Sequence, residues 1–107
     1  MTDIDADAAE RILEGRSCNL IRRGGDGSLV MSADRWRLAE RGLAALTFIA
    51  EPPAPPDAAP LTIELADVGR LAWDRLPKQQ TRSQVRFYLR NGDVVTLSGT
   101  LGDPPNT

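Results

Sequence analysis

The chain contains no histidine and only one cysteine among its 107 residues. Histidine is the commonest general base and the commonest metal ligand in proteins. Its absence therefore excludes Ser-His-Asp and Cys-His catalysis and histidine-ligated zinc. Cys18 has neither a second cysteine for an intramolecular disulfide nor a histidine to activate it. We expect a buried or inert thiol, no metal, no cofactor and no enzymatic activity.

The sequence also lacks long apolar runs and a strong excess of either charge. Its 13 lysines and arginines nearly balance its 15 aspartates and glutamates, for a net charge of −2, whereas dedicated nucleic-acid binders carry clustered basic residues. No segment approaches the ~20 apolar residues of a transmembrane helix, and the acidic N-terminus lacks the features of a secretory signal. We predict a cytoplasmic protein without a transmembrane segment, and we do not expect nucleic acid as a partner.

The composition is that of one folded domain over residues 1–107. Hydrophobic residues make up 41% of the chain and charged residues 26%, enough for one modest core. We predict a helix within residues 1–16, because its apolar residues share one helical face and Gly15 follows them. Asp7 is a candidate N-cap of this helix. The apolar residues are Ile4, Ala8, Ala9, Ile12 and Leu13.

The acidic residues of this segment have the spacing of a calcium-binding loop. Asp3, Asp5 and Asp7 alternate, and Glu14 stands at the twelfth position, as in an EF-hand. However, Ala8 occupies the sixth position, where an EF-hand needs a glycine for its sharp turn. We therefore interpret the acidic residues as favourable partners of the positive helix start, and we predict no metal site.

Residues 28–50 support two interpretations. Alternating apolar residues, with a turn at residues 40–42, favour two strands, whereas residues 33–46 also have helix-forming composition. We prefer strands because Gly42 interrupts the helix and residues 46–49 have strand-forming side chains. The alternative is two N-terminal helices packed on a smaller antiparallel sheet. On the strand interpretation, the alternating residues are Leu29, Met31, Trp36, Leu38, Leu43, Ala45, Thr47 and Ile49.

Residues 51–60 hold five of the eight prolines, which predicts an extended loop. The loop contains two P-x-x-P spacings, Pro52 with Pro55 and Pro53 with Pro56, but a plain connecting loop is the preferred interpretation. Residues 61–65 then alternate as a strand, residues 67–69 bend, and a further strand includes Trp73.

The strongest local pattern is a β-hairpin over residues 85–97, around Asn91 and Gly92. A two-residue turn would mix polar and apolar side chains on both faces. A three-residue loop, residues 90–92 with Gly92 in the left-handed conformation, instead pairs Phe87 with Val95 and gives one apolar face. We prefer the three-residue loop. The opposite face then carries Arg86, Tyr88, Val94 and Thr96.

Three segments follow one another as early strands, a strand with a bend, and this hairpin: Gly27–Arg35, Ile63–Leu71 and Val85–Leu97. In this order they resemble bacterial PH-like and GRAM-like domains over about residues 17–99. The resemblance implies a mainly β fold with a small antiparallel sheet or partly open barrel or sandwich. With the short N-terminal helix predicted from the apolar spacing, the expected fold class is mainly β (α+β). It also implies a non-enzymatic binding module.

The C-terminal residues depart from that family, which closes one end of its sheets with a C-terminal helix. The prolines and glycines of residues 99–107 exclude such a helix, so we predict a flexible tail over residues 100–107. The open end would then be covered by the N-terminal helix or by a partner. Residues 89–95, Leu-Arg-Asn-Gly-Asp-Val-Val, and Ser98 with Gly99 are similar to a small Sm-like or other β-barrel, which is the alternative fold.

Three functions remain. We predict protein–protein interaction or self-association, such as a homodimer, through a sheet edge or through the exposed face of Arg86, Tyr88, Val94 and Thr96. The alternative is binding of an anionic lipid or a phosphate by an arginine patch. An enzyme using carboxylate or arginine chemistry is the third, with no site located. The patch consists of Arg22, Arg23, Arg82 and Arg90, with Arg86 near it.

Overall fold

Most of the described chain forms one antiparallel sheet, because alternating apolar side chains give its strands one face to bury. The computed structural model describes residues 1–52, 58–76, 78 and 81–103. Eight strands pair in the order β1-β6-β7-β8-β2-β3-β4-β5. They are β1 (Thr2–Asp3), β2 (Cys18–Arg23), β3 (Leu29–Arg41), β4 (Ala45–Ala50), β5 (Leu61–Glu64), β6 (Val68–Arg75), β7 (Ser83–Leu89) and β8 (Val94–Gly99).

The predicted β-sheet character is confirmed, but the predicted fold class is wrong. In place of a short helix with a small sheet or partly open barrel, the chain forms an eight-stranded antiparallel sheet. The sheet is larger because all eight described strands, from the two-residue β1 to the 13-residue β3, pair into one sheet. The alternative of two N-terminal helices is wrong because residues 28–50 form β3 and β4. The sheet is also not closed, since no ladder among the described residues joins β5 to β6 or β1.

The strands of residues 28–50 are confirmed, although the alternation predicted for the second of them is wrong. The structure buries Leu46 and Phe48 of β4, whereas the sequence pattern selected Ala45, Thr47 and Ile49. The turn between β3 and β4 spans residues 42–44 rather than 40–42, and a β-bulge lies between Leu38 and Glu40. In this register Leu38 pairs with Phe48, so Phe48 and Leu46 lie on the core-facing side of β4.

The N-terminal helix is shorter than predicted. Helix α1 covers Ala6–Leu13, and residues 2–3 instead form β1 on the edge of the sheet. Asp5, not Asp7, is the N-cap: its carboxylate accepts a hydrogen bond of 2.8 Å from the Ala8 amide. No helix in the described part of the chain is both long and apolar enough to cross a bilayer.

The sheet curls around its core, and α1 packs against that core. Phe48 of β4 and Phe87 of β7 meet edge to face with ring centroids 6.2 Å apart, although β8, β2 and β3 lie between their strands. Helix α1 adds Ala9, Ile12 and Leu13 to the same core. The interior is therefore filled from both the sheet and the helix.

The C-terminal segment is partly packed where a flexible tail was predicted. Leu101 is buried in the core, and the Gly102 amide donates a 3.1 Å hydrogen bond to the Ile12 carbonyl. Asp103 forms an ion pair of 2.8 Å with Arg75. Residues 104–107 lie outside the described residues, as do residues 53–57 with three of the four prolines of the P-x-x-P spacings.

The hairpin register predicted from the sequence is confirmed. Phe87 pairs with Val95 and Val85 with Leu97. Gly92 has φ +97°, and the Gly92 amide donates to the Leu89 carbonyl at 3.0 Å. The three-residue loop therefore requires the left-handed conformation that glycine adopts without strain.

Candidate functional site

The first half of β3 has an open edge. Residues 29–33 pair with β2 on one side, whereas β4 begins to pair with β3 only at Trp36. Within the described residues, no strand lies along the other side of residues 29–34. Leu29 and Val30 are 57% and 59% exposed at this edge. Unpaired backbone groups beside exposed apolar side chains are the features that favour the addition of another strand.

Two local structures fix the ends of this edge. At its start, the Asp26 carboxylate accepts hydrogen bonds from the Ser28 amide (2.9 Å) and hydroxyl (2.6 Å), which lower the pKa of Asp26. At its end, the Glu51 amide donates a 2.8 Å hydrogen bond to the Arg35 carbonyl. Arg35 has φ +61°, the one positive value for a non-glycine among the described residues. The open edge thus lies between an ordered turn and a distinct backbone kink.

The predicted interaction face exists as a surface, but the chain itself covers part of it. Arg86 pairs with Thr96 and Tyr88 with Val94, so these four side chains share one face of the sheet. All four are half-buried. The guanidinium of Arg70 lies 5.6 Å from the Tyr88 ring centroid, and the Tyr88 hydroxyl donates to the Met1 sulfur at 3.6 Å. Tyr88 is therefore less available to a partner than the hairpin pattern alone indicated.

The structure does not bring the predicted arginine patch together. Arg22 points into the curl of the sheet and forms an ion pair of 2.8 Å with Asp93, while Arg23 donates to the Gly27 carbonyl at 3.2 Å. Arg90 donates to the Ala66 carbonyl at 3.0 Å. By contrast, Arg82 lies just before β7, at the end opposite to Arg90. Three of the four arginines thus lie at the hairpin end, and each of these three already has a partner within the chain.

A cavity of about 260 Å³ lies between β5 and the β7–β8 loop, where the sheet is not closed. It is lined by two arginines and two carboxylates, together with smaller polar and apolar side chains. Because Arg22 is paired with Asp93 and both signs of charge line the cavity, its field does not favour an anion. The charged lining residues are Arg22, Arg90, Glu64 and Asp67.

Cys18 lies inside the core rather than at a reactive surface. It is 2% exposed, and its thiol donates to the Arg16 carbonyl at 3.7 Å. Burial, and secondarily the negative charge of Glu51, raises the pKa of Cys18 from 9.0 to about 11. At neutral pH the group is therefore a protonated thiol, which is a poor nucleophile.

The open edge of β3 is the candidate that sequence reasoning missed. A general sheet edge was expected, but Leu29 and Val30 were not selected as its exposed residues. A signal was present in the sequence: no glycine or proline interrupts residues 29–41, so this strand is longer than β2 or β4, each of six residues. A long strand between shorter neighbours leaves part of its edge unpaired.

Comparisons of the chain with protein family models, curated proteins and solved structures find no match. The resemblance to bacterial PH-like and GRAM-like domains stays a prediction.

Proposed function

We propose that this chain is a binding module that self-associates by pairing the open edge of β3 with the same edge of a second copy. The observation that carries the proposal is the unpaired edge of residues 29–34, with Leu29 and Val30 more than half exposed. Continuing a sheet across two chains satisfies the free backbone groups of both edges and covers these side chains. Catalysis is not part of the proposal.

The composition of this edge supports a partner strand. Natural proteins protect edge strands by shortness, charge, proline or bulges. The terminal strands show such protection, because β1 has two residues and β5 has four, with Glu64 at its end. Residues 29–33, Leu-Val-Met-Ser-Ala, contain no charge, proline or glycine, and a β-bulge at Val30 is the one protective feature among them. This uncharged segment is therefore the edge that an added strand would extend.

A second copy fits this edge without charge conflict. In an antiparallel pairing about a twofold axis at Met31, Leu29 of one copy faces Ala33 of the other, and Val30 faces Ser32. The same register places Asp34 opposite Ser28, so no like charges meet. A β-bulge at Val30 puts Leu29 on the outward face with Arg23, whereas Ala33 lies on the core face with Leu20, so the pairing has to accommodate this bulge. The predicted cytoplasmic location belongs to this proposal, since its single cysteine needs no oxidising compartment.

Light scattering on a size-exclusion column, from micromolar to submillimolar protein, tests the proposal. We expect a two-protomer mass for the native chain and a one-protomer mass for Val30→Lys, because a lysine on an edge strand protects that edge against pairing. Leu43→Lys is the matched control. Leu43 is fully exposed, in the turn between β3 and β4 and away from the open edge, so this variant should keep the dimer.

Two results would contradict the proposal. A native chain that stays monomeric throughout this range would do so directly. Dissociation by Tyr88→Glu, with Val30→Lys still dimeric, would move the interface to the face predicted from the hairpin. Amide hydrogen exchange gives an independent readout, since the amides of residues 29–34 should exchange more slowly as protein concentration rises.

A further inference from the structure

An open groove of about 450 Å³ lies on the outer surface, where the start of β2 meets the end of β8. Asn19 of β2 pairs with Ser98 of β8, and both side chains point outward because Leu20 and Leu97 point into the core. The residues just outside the strands complete the walls. The polar and charged residues that line the groove are Arg16, Ser17, Asn19, Arg82, Ser98 and Thr100.

The charge of this groove is entirely positive. It is lined by two arginines and no carboxylate. One guanidinium nitrogen of Arg16 donates to the Thr100 carbonyl at 3.1 Å, which holds the side chain across the groove and leaves its other N–H groups available. Among the described residues, the guanidinium of Arg82 has no hydrogen-bond or ion-pair partner. Arg70, in contrast, is paired with Asp3.

The backbone holds the two strand ends close together. A Cβ atom on Gly99 would lie 2.8 Å from the Ser17 carbonyl oxygen, so only glycine permits this approach of β8 to the segment before β2. Nothing lies within 4 Å of where a Cβ would stand on Gly15, so that side of the groove stays open. Two arginines thus flank a set of hydroxyl and amide donors on β2, β8 and the residues next to them, and the close contact at Gly99 fixes the relative position of these two strands.

We propose that this groove binds a phosphate group, with Arg16 and Arg82 as its charged ligands and Ser17, Asn19 and Ser98 as neutral donors. Phosphate oxygens accept charge-assisted hydrogen bonds, and the planar guanidinium of arginine matches their geometry. The groove is shallow, so it takes an exposed terminal phosphate rather than a whole enclosed molecule. This site shares only Arg82 with the patch predicted from the sequence, and it does not depend on the proposed self-association.

Titration of the full-length chain at low ionic strength, followed by amide chemical shifts, tests the site with inorganic phosphate as the probe. We expect saturable shifts concentrated at Ser17, Asn19 and Ser98. The double variant Arg16→Gln, Arg82→Gln should weaken binding by about a hundredfold, since each lost charge-assisted hydrogen bond is worth about tenfold. A control double variant, Arg11→Gln and Arg37→Gln, removes the same charge from two exposed residues outside the groove and should bind as the native chain does.

Vesicles distinguish a lipid headgroup from a free phosphate. Sedimentation with vesicles of phosphatidylcholine and phosphatidic acid, lost in the Arg16, Arg82 variant, would identify a phosphomonoester headgroup as the source. Saturable binding of inorganic phosphate without vesicle sedimentation would identify a soluble phosphate compound. The proposal fails if the native chain binds neither probe, or if the control variant loses as much binding as the groove variant.

Discussion

Raising the pH from about 8 to about 11 should destabilise the fold through Cys18. In the folded chain, burial and then the charge of Glu51 raise the pKa of Cys18 from 9.0 to about 11. Unfolding exposes the thiol to water and returns its pKa to the ordinary value. Below pH 9.0 the thiol is protonated in both states, so its full contribution to stability is present there.

The loss occurs between the two pKa values. As the pH rises through this window, the unfolded chain releases the thiol proton while the folded chain must keep it, and this favours unfolding. A shift of about two pKa units at about 1.4 kcal/mol each limits the total effect to about 3 kcal/mol, of which about 2 kcal/mol is lost by pH 11. This estimate needs little correction for solvent screening, because Cys18 is only 2% exposed.

Urea unfolding of the native chain and of Cys18→Ala, under reducing conditions, measures this effect. The alanine variant removes the titrating group, so the difference in unfolding free energy between the two proteins should change by about 2 kcal/mol from about pH 8 to pH 11. All other titrating groups are common to both proteins and cancel. A difference that stays constant across this range would refute the reasoning, since Cys18 would then titrate alike in both states.

Two further predictions concern the interior and the strand ends. Gly99→Ala should destabilise the fold by about 1–3 kcal/mol in urea unfolding, because its Cβ would meet the Ser17 carbonyl at 2.8 Å. The control is Gly102→Ala, whose Cβ would make only ordinary contacts and should cost less than about 1 kcal/mol of stability. Equal losses of stability in the two variants would contradict the close contact at Gly99. Ser83→Ala should stabilise the fold by about 1 kcal/mol, because the Ser83 hydroxyl is buried without a partner among the described residues. In the same assay, the control Ser98→Ala should leave stability nearly unchanged. A clear loss of stability in Ser83→Ala would show that the Ser83 hydroxyl forms a hydrogen bond in the folded chain.

Sequence reasoning succeeded where the determining contacts are local. The register of the β7–β8 hairpin follows from three loop residues and the side-chain alternation next to them, and the structure pairs Phe87 with Val95 as predicted. Strand β5 likewise follows from its own alternation, with Ile63 buried and Thr62 exposed. In both cases the information lies within a few residues of the element it determines.

The order of the strands depends on distant contacts, so it could not be predicted in the same way. Strand β1 pairs with β6, and β2 pairs with β8, although nothing near these segments in the chain specifies their partners. The size of the sheet depended on this pairing, which explains why the predicted fold class was wrong. The side-chain alternation of β4 was predicted wrongly for a more local reason, the β-bulge of β3 between Leu38 and Glu40, which the sequence pattern does not show.

The arginine patch could have been corrected from the sequence with strand arithmetic. Arg82 and Arg90 are separated by eight residues of one extended hairpin arm, which is about 26 Å at 3.3 Å per residue. Arg22 and Arg23 are neighbours on β2, so they point to opposite faces. The patch was predicted because all four residues are arginines, but the geometry of the strands places them apart.

The strand order and the lengths of the edge strands explain why self-association would not require the sheet to open. The two terminal edges are short or charged, so adding a strand there would gain few hydrogen bonds. The open edge of β3 instead lies beside residues that β2 already holds on the other side. A partner strand at this position breaks no existing ladder and orders little additional backbone, which lowers the entropic cost of association. An edge that β2 already holds on one side, with no charge in residues 29–33, is therefore the part of this sheet most suited to extension.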